Sequence, residues 1–477
     1  MTQSRPDKAQ KALEELCDHR GNTFYPHYHL APRAGWMNDP NGLIWFNHRY
    51  HAFYQHNPLN ENWGAIHWGH ATSEDMVHWH HEPIALAPGD DEDKDGCFSG
   101  SAVSDNGVLS LIYTGHVWLA GEGNDAEIRQ VQCLATSRDG VHFVKQGVVL
   151  TPPEGIMHFR DPKVWQQDGH WWMVVGAKTP DNIGQILLYR GRSLREWTFD
   201  RVLGQADDGE TYMWECPDLF ALGKHHYMMF SPQGMSPQGY HKRNLFQSGV
   251  IPGQWSPGSD FIPSGPFTEL DNGHDFYAPQ SFTAGDGRRV MIGWMDMWES
   301  PMPSKKERWS GCLTMARELT EHEVKLIQRP VREAKTLSGS HQAIPAGEIT
   351  GTRVLQDNAQ AVEVTLQWDL RKSEAEHYGL RLGSSLQLYV DNQAGRLVLW
   401  RHSPEEAIDG YRSIALPPGE SLSLRIFLDM SSAEVFVNDG EAVLSSRIYP
   451  RPGERELSLY AAGGNAVLMS GALWSLS

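Results

Sequence analysis

Three carboxylates occupy comparable places in the chain. They are Asp39 in Trp36-Met37-Asn38-Asp39-Pro40-Asn41-Gly42, Asp161 in Arg160-Asp161-Pro162, and Glu215 in Trp214-Glu215-Cys216-Pro217. Each lies one or two residues before a proline and heads a short strand-like segment. Converging carboxylates are what cleavage of a glycosidic bond requires, one acting on the sugar carbon or on water and one on the leaving oxygen. Acids this far apart along the chain meet only if the segments bearing them surround a common centre. Taken singly, an acid beside proline does no more than begin a strand; three in equivalent settings point to chemistry.

The elements that must position them form an internal repeat. Its unit is a hairpin of a short strand, a tight polar turn and a strongly apolar strand. Copies run over 43–54 with the turn Asn47-His48-Arg49, 102–113 with Asp105-Asn106-Gly107 and 163–175 with Gln167-Asp168-Gly169. Two more run over 219–230 with Gly223-Lys224-His225 and 281–294 with Gly285-Asp286-Gly287. Asn, Asp and Gly in these turns tolerate the positive φ that tight hairpins demand. A second hairpin follows the first: 71–79 (Ala-Thr-Ser-Glu-Asp-Met-Val-His-Trp) matches 135–143 (Ala-Thr-Ser-Arg-Asp-Gly-Val-His-Phe), with 191–197 a looser copy. Four strands per unit, with roughly 55–60 residues between acid-bearing positions, imply an all-β fold led by a five-bladed β-propeller. The first strand of each blade would line the channel and gather the acids at one mouth.

Around the propeller, assigned to 23–330, the chain divides as follows. Residues 1–22 read as a helical segment, with a helix over 7–20 showing Ala12, Leu13 and Leu16 on one face. Residues 331–350, carrying Gly339, Pro345 and Gly347, read as a linker. From 351 to 477 apolar residues alternate strictly, as in Leu386, Leu388 and Val390, which predicts an antiparallel β-sandwich.

Composition narrows the function. The formal charge is −18 with no long basic tract, which argues against nucleic acid and anionic membrane as partners. No apolar stretch is long enough to span a bilayer, and the first residues lack a signal-like apolar core. Five scattered cysteines without a Cys-x-x-Cys pair indicate neither a zinc cluster nor a disulfide framework, so a cytoplasmic protein is expected. Asp91-Glu92-Asp93-Lys94-Asp95-Gly96 copies the start of a calcium loop, but the twelfth position is Ala102 rather than the bidentate Glu. It is read as an acidic surface loop. The histidines at 67, 70, 78, 80 and 81 lack a His-Glu-x-x-His spacing, and no phosphate-binding loop occurs. No metal or cofactor is expected.

Several ordered blocks together carry a resemblance. The segments 36–42, Phe98-Ser99-Gly100-Ser101-Ala102, Arg160-Asp161-Pro162-Lys163, Glu215-Cys216-Pro217, Asp275-Phe276-Tyr277-Ala278-Pro279-Gln280 and Ile292-Gly293-Trp294-Met295 resemble the signature blocks of the β-fructofuranosidases, glycoside hydrolase family 32. The likeness spans essentially the whole chain and is nearest to cytosolic bacterial sucrose hydrolases. It implies a five-bladed propeller followed by a sandwich, and retaining hydrolysis of sucrose through a covalent fructosyl-enzyme. By the same resemblance Asp39 would be the nucleophile, Glu215 the acid/base and Asp161 the stabiliser of the positively charged transition state. Trp36, Asn38, Gln55, Trp63, Phe98, Ser99, Arg160, Tyr277 and Trp298 would bind the sugar. Glu215 is expected to be raised in pKa by burial and by the Asp39 charge, with Asp39 kept ionised.

Three other readings remain open at this level. A sucrose-6-phosphate hydrolase would need cations on the glucose side, for which Lys305-Lys306 with Arg308, or Lys242-Arg243, are candidates. Fructosyl transfer to another sugar is a second. A propeller lectin is a third, although a lectin has no need of a nucleophile. Oligomeric state is not legible in the sequence.

Overall fold

The computed structural model describes residues 3–404 and 406–477. Five sheets follow one another along the chain, each beginning with its innermost strand: Gly35–Phe46, Gly96–Asp105, His158–Gln167, Met213–Leu222 and Tyr277–Thr283. These inner strands neighbour one another in order, and the fifth returns to the first. Side chains stitch the ring. Asn41 Oδ1 accepts from Gly100 N, Ser101 Oγ from Val164 N, Asp161 Oδ2 from Cys216 N, Asp218 Oδ2 from Ser281 N, and Gln280 Oε1 from Leu43 N. The five-bladed propeller is therefore present and closed. Trp309–Ser310 adds a further short strand, pairing in parallel with Gly35 and Trp36 of the first blade.

Apolar layers separate the blades, which explains why the second strands read as nearly unbroken apolar runs. Phe53, Leu111 and Cys133 pack in one layer, Phe159, Val164 and Met173 in the next, and Trp172, Trp214 and Met228 in the next. Burying both faces of a strand removes the polar alternation a half-exposed strand would show.

The chain after the propeller is a sandwich built around one long strand, Leu457–Leu476. Its first half pairs with His377–Leu382 and its second half with Val362–Asp369, so it serves both layers. Gly463 and Gly464, both at positive φ, lie between the halves and permit the bend. The stretch 331–350 is not a free connector. It forms a 3₁₀ turn, Arg332–Leu337, then the strand Ser338–Ile344 and the start of Gly347–Gln356, both paired with the long strand. Its glycines and proline mark strand ends rather than a loose tether. The first helix also differs from expectation, spanning Arg5–Cys17 with Ser4 Oγ accepting from Asp7 N. Ala9, rather than Ala12, joins Leu13 and Leu16 on the buried face against Ile84.

The acidic loop before the second blade is not wholly a surface feature. Asp93 is fully buried, and its carboxylate accepts from Lys145 Nζ at 2.7 Å, Tyr113 Oη at 2.8 Å and two backbone N–H groups. An ammonium fills the place a cation would take. Among the described residues no helix is long and apolar enough to cross a membrane.

Candidate active site

Every inner strand is irregular at the level of the acids. Pairing registers shift between Met37 and Pro40, between Phe98 and Gly100, opposite Val174–Gly176 in the third blade, between Glu215 and Asp218, and between Tyr277 and Gln280. Asp161, Cys216 and Ala278 take left-handed φ values of 70°, 50° and 53°, each immediately before a proline. That conformation is disfavoured for such residues and is held only by surrounding structure. In a regular strand successive side chains point to opposite faces. Here consecutive residues face one cavity: Asn38 with Asp39, Phe98 with Ser99, and Arg160 with Asp161. In these three blades the bulges bring two side chains to the mouth instead of one.

The cavity holds about 460 Å³, a volume suited to a disaccharide. Asp39 and Asp161 are almost completely buried in its floor, while Glu215 stands partly exposed on its side. Asp39 Oδ2 accepts from Ser99 Oγ at 2.7 Å and Oδ1 from Asn38 Nδ2 at 3.0 Å. Trp36 orients that amide by donating its indole N–H to Asn38 Oδ1 at 2.8 Å. Cys216 Sγ lies 3.4 Å from Asp39 and 3.5 Å from Asp161. Burial and the surrounding carboxylates push its thiol well up, so it remains a protonated donor between the two acids. The ligand atoms of Asp39, Asp161 and Cys216 lie within 4.8 Å of one another, the thiol lying between the two carboxylates.

Glu215 is gripped by three donors. Arg160 Nε reaches Oε2 at 2.7 Å, while Tyr277 Oη and Gln233 Nε2 reach Oε1 at 2.7 and 2.9 Å. Burial raises both floor acids. Burial, then the Glu215 charge, lifts Asp39 to about 6, with Ser99 and Asn38 opposing. Burial and Glu215 lift Asp161 to about 7, with Arg160 opposing. Asp39, expected to stay ionised, is thus held above the ordinary carboxylate range.

Aromatic rings wall the mouth. Trp63 makes edge contacts with Phe98, Trp118 and Trp298. Trp298 rides on the 295–308 segment and stacks 5.8 Å from Trp36. Of the expected sugar-binding residues, Asn38, Gln55, Trp63, Phe98, Ser99, Arg160 and Trp298 line the cavity. Trp36 and Tyr277 do not; both are buried behind it, where they orient Asn38 and Glu215.

Residues that motif reading missed complete the wall: His116, Trp118, Asp125, Gln130, His158, Gln233, Phe246 and Glu299. His116 and His158 are pushed down to about 3 by burial and by Arg160, so both are neutral. His158 Nδ1 can accept from Arg160 Nη1 at 3.1 Å. Gln55, His116 and Gln233 share a signal, each being a polar residue one to three positions beyond the apolar run of a second strand.

With this geometry established, similarity to known proteins can be weighed. The family model for the glycosyl hydrolases family 32 N-terminal domain matches residues 29–330, and that for the family 32 C-terminal domain matches 324–475. The chain belongs to glycoside hydrolase family 32. Family 32 membership makes it a β-fructofuranosidase-type hydrolase. It is 73% identical to an Escherichia coli protein named sucrose-6-phosphate hydrolase, over the full length of both, and 63% identical to Escherichia coli raffinose invertase over 98% of each. The fold superposes on a Bombyx mori GH32 beta-fructofuranosidase mutant in complex with sucrose, with TM-score 0.88, 32% identity and coverage of 100% and 99%.

Proposed function

We propose that this family 32 enzyme hydrolyses the β-fructofuranosidic bond of sucrose to glucose and fructose by a retaining, two-step route. Asp39, on the floor, attacks the anomeric carbon of the fructosyl unit. Glu215, on the side wall, protonates the departing glucose oxygen and later deprotonates water. Asp161 hydrogen-bonds the ring hydroxyls and offsets positive charge in the transition state. Ser99, Asn38 and the Cys216 thiol all donate toward the floor carboxylates, which favours an ionised Asp39 once a sugar has displaced water. Arg160, Tyr277 and Gln233 orient Glu215. The observation that carries this reading is the meeting of three carboxylates from three blades within one sugar-sized cavity walled by indole rings.

The charge of the wall favours sucrose over its phosphate. Among the described lining residues Arg160 is the one cation, and Glu215 engages it, while Asp125 and Glu299 add negative charge near the opening. The cations considered for a phosphate are occupied elsewhere. Lys305 sits over the Trp36 ring, Arg308 faces Glu61, and Arg243 lies against the Tyr240 and Tyr411 rings. The five cysteines are unpaired, which suits the cytoplasm to which we assign the enzyme. Product analysis with sucrose, sucrose 6-phosphate and inulin side by side tests the substrate. For the roles, Glu215→Gln should keep partial activity on fructosides with good leaving groups; equal loss on these and on sucrose would remove Glu215 as the acid.

A further inference from the structure

The propeller channel does not end at the catalytic acids. Below them it narrows to a waist of about 10 Å³ bordered by Pro40, Pro217 and Pro279. Beyond the waist it widens again into a cavity of about 530 Å³, larger than the catalytic one. All five inner strands contribute their C-terminal halves to it, including Trp45, Ser104, Lys163, Asp218 and Phe282. The waist is too narrow for a sugar, so this far cavity is a separate compartment with its own opening.

Two properties of its lining bear on a ligand. First, its charged side chains are Lys163, Arg289 and Asp218, two cations against one carboxylate. A surplus positive charge inside a protein of net charge −18 marks a place suited to an anion. Lys163 Nζ donates to the Ser281 carbonyl at 2.5 Å and Arg289 Nη1 to Ser281 Oγ at 3.4 Å, which brings both cations to one residue of the fifth blade. Second, three buried polar atoms on lining residues have no hydrogen-bond partner in the protein: Asp218 Oδ1, His226 Nδ1 and Trp255 Nε1. Unpaired buried groups are costly, and this set includes both an acceptor and an indole donor. Around them stand the rings of Trp45, Trp165, Trp171, Phe220 and Phe282, which offer apolar faces to the C–H face of a sugar.

We infer that this far cavity is a binding site for a phosphorylated monosaccharide, with Lys163 and Arg289 taking the phosphate and Asp218 with the indole rings taking the sugar. Such a ligand would touch the strands that carry the acids, since Lys163 follows Asp161 by two residues and Asp218 follows Glu215 by three. The same two regions would thus read opposite chemistry, a neutral disaccharide at one mouth and an anionic sugar at the other.

Calorimetric titration of the intact enzyme with glucose 6-phosphate, inorganic phosphate and glucose tests this. The variant is Arg289→Gln, because Arg289 is only half-buried whereas Lys163 is enclosed. Glucose 6-phosphate should bind at one site per chain, about tenfold more tightly than inorganic phosphate or glucose, and Arg289→Gln should weaken it at least about tenfold. The KM for sucrose should not rise with the sugar phosphate present, and Arg289→Gln should leave kcat/KM for sucrose unchanged. Absence of binding up to about 10 mM, equal binding of inorganic phosphate, or undiminished binding by the variant overturns the proposal. Competition with sucrose also overturns it, since the ligand would then occupy the catalytic mouth.

Discussion

Two of the places where the molecule buries carboxylates have opposite outcomes. At the contact between propeller and sandwich, Asp275 and Asp296 meet Arg401 and Arg447, and Asp271 and Glu434 meet Arg317, all buried. Beside them His29 lies between Asp429 and Glu434. Nearly every negative charge there has a cation. In the catalytic cavity Asp39, Asp161 and Glu215 share a single arginine, and that arginine is engaged by Glu215. The balanced cluster holds two domains together, and breaking one partner leaves an uncompensated buried charge. The unbalanced cluster is strained by its own repulsion, and that excess negative charge is what an oxocarbenium-like transition state relieves. By the proposed roles, burial alone does not separate a structural acid from a reactive one; the count of partners does.

The sharpest way to break the comparison is Asp39→Ala. Turnover of sucrose should fall by about four or more orders of magnitude with the fold intact, because the covalent route is lost. Near-normal kcat would show that the unbalanced cluster is not the reactive one. Arg317→Met should do the reverse. It strands Asp271 and Glu434, so unfolding measurements should show a loss of about 3–5 kcal/mol, while kcat/KM per folded molecule stays put.

The two clusters overlap near neutral pH, where burial also lifts Asp296 of the domain contact to about 7, and they part in the alkaline range. Asp39 at about 6 must be ionised to attack, so kcat/KM for sucrose should decline as pH falls below about 6. For stability, Asp39 and Asp161 hold protons in the folded state that the unfolded chain has already lost. Stability should therefore fall as pH rises from the ordinary Asp range through about 6 to 7. Asp39→Asn should remove part of that decline and raise the melting temperature at pH 8. At the domain contact, burial opposes a charge on His29, but Asp429 and Glu434 outweigh it and lift His29 to about 9. A His raised above its unfolded value contributes stability that is full below about 6.5 and is lost as pH rises through 9. Melting curves of His29→Asn should lack this second, alkaline decline.

The smallest effect belongs to the exposed rim. Glu299→Lys should raise kcat/KM for sucrose 6-phosphate relative to sucrose by about two- to tenfold, and added salt should shrink the gain. No change at low salt would mean the rim does not set the substrate's charge.

The repeats were legible because strand alternation and hairpin turns are local signals, written within a dozen residues of one another. Turns such as Asp105-Asn106-Gly107 and Gln167-Asp168-Gly169 fall between paired strands as read. The supporting side chains were not legible. Gln130 and Gln233 hold Arg160 and Glu215 through contacts between neighbouring blades or strands, and nothing adjacent to them in the chain marks that duty. Trp36 and Tyr277 were expected against the sugar by the resemblance to the family's signature blocks, yet packing turns them behind the wall. The 331–350 stretch was read as a tether because Gly and Pro dominate its pattern, while its pairing partner lies more than a hundred residues away.

By itself the sequence determined the blades, the alternating C-terminal sheets and the three acids, since residue type and short-range spacing suffice for these. Only the tertiary structure decided which acids share a proton-holding floor, which one Arg160 claims, and that two consecutive residues of a blade can face one cavity. Those outcomes depend on bulges, burial and charges brought together across separate blades, and electrostatic energy depends on distance in space rather than along the chain.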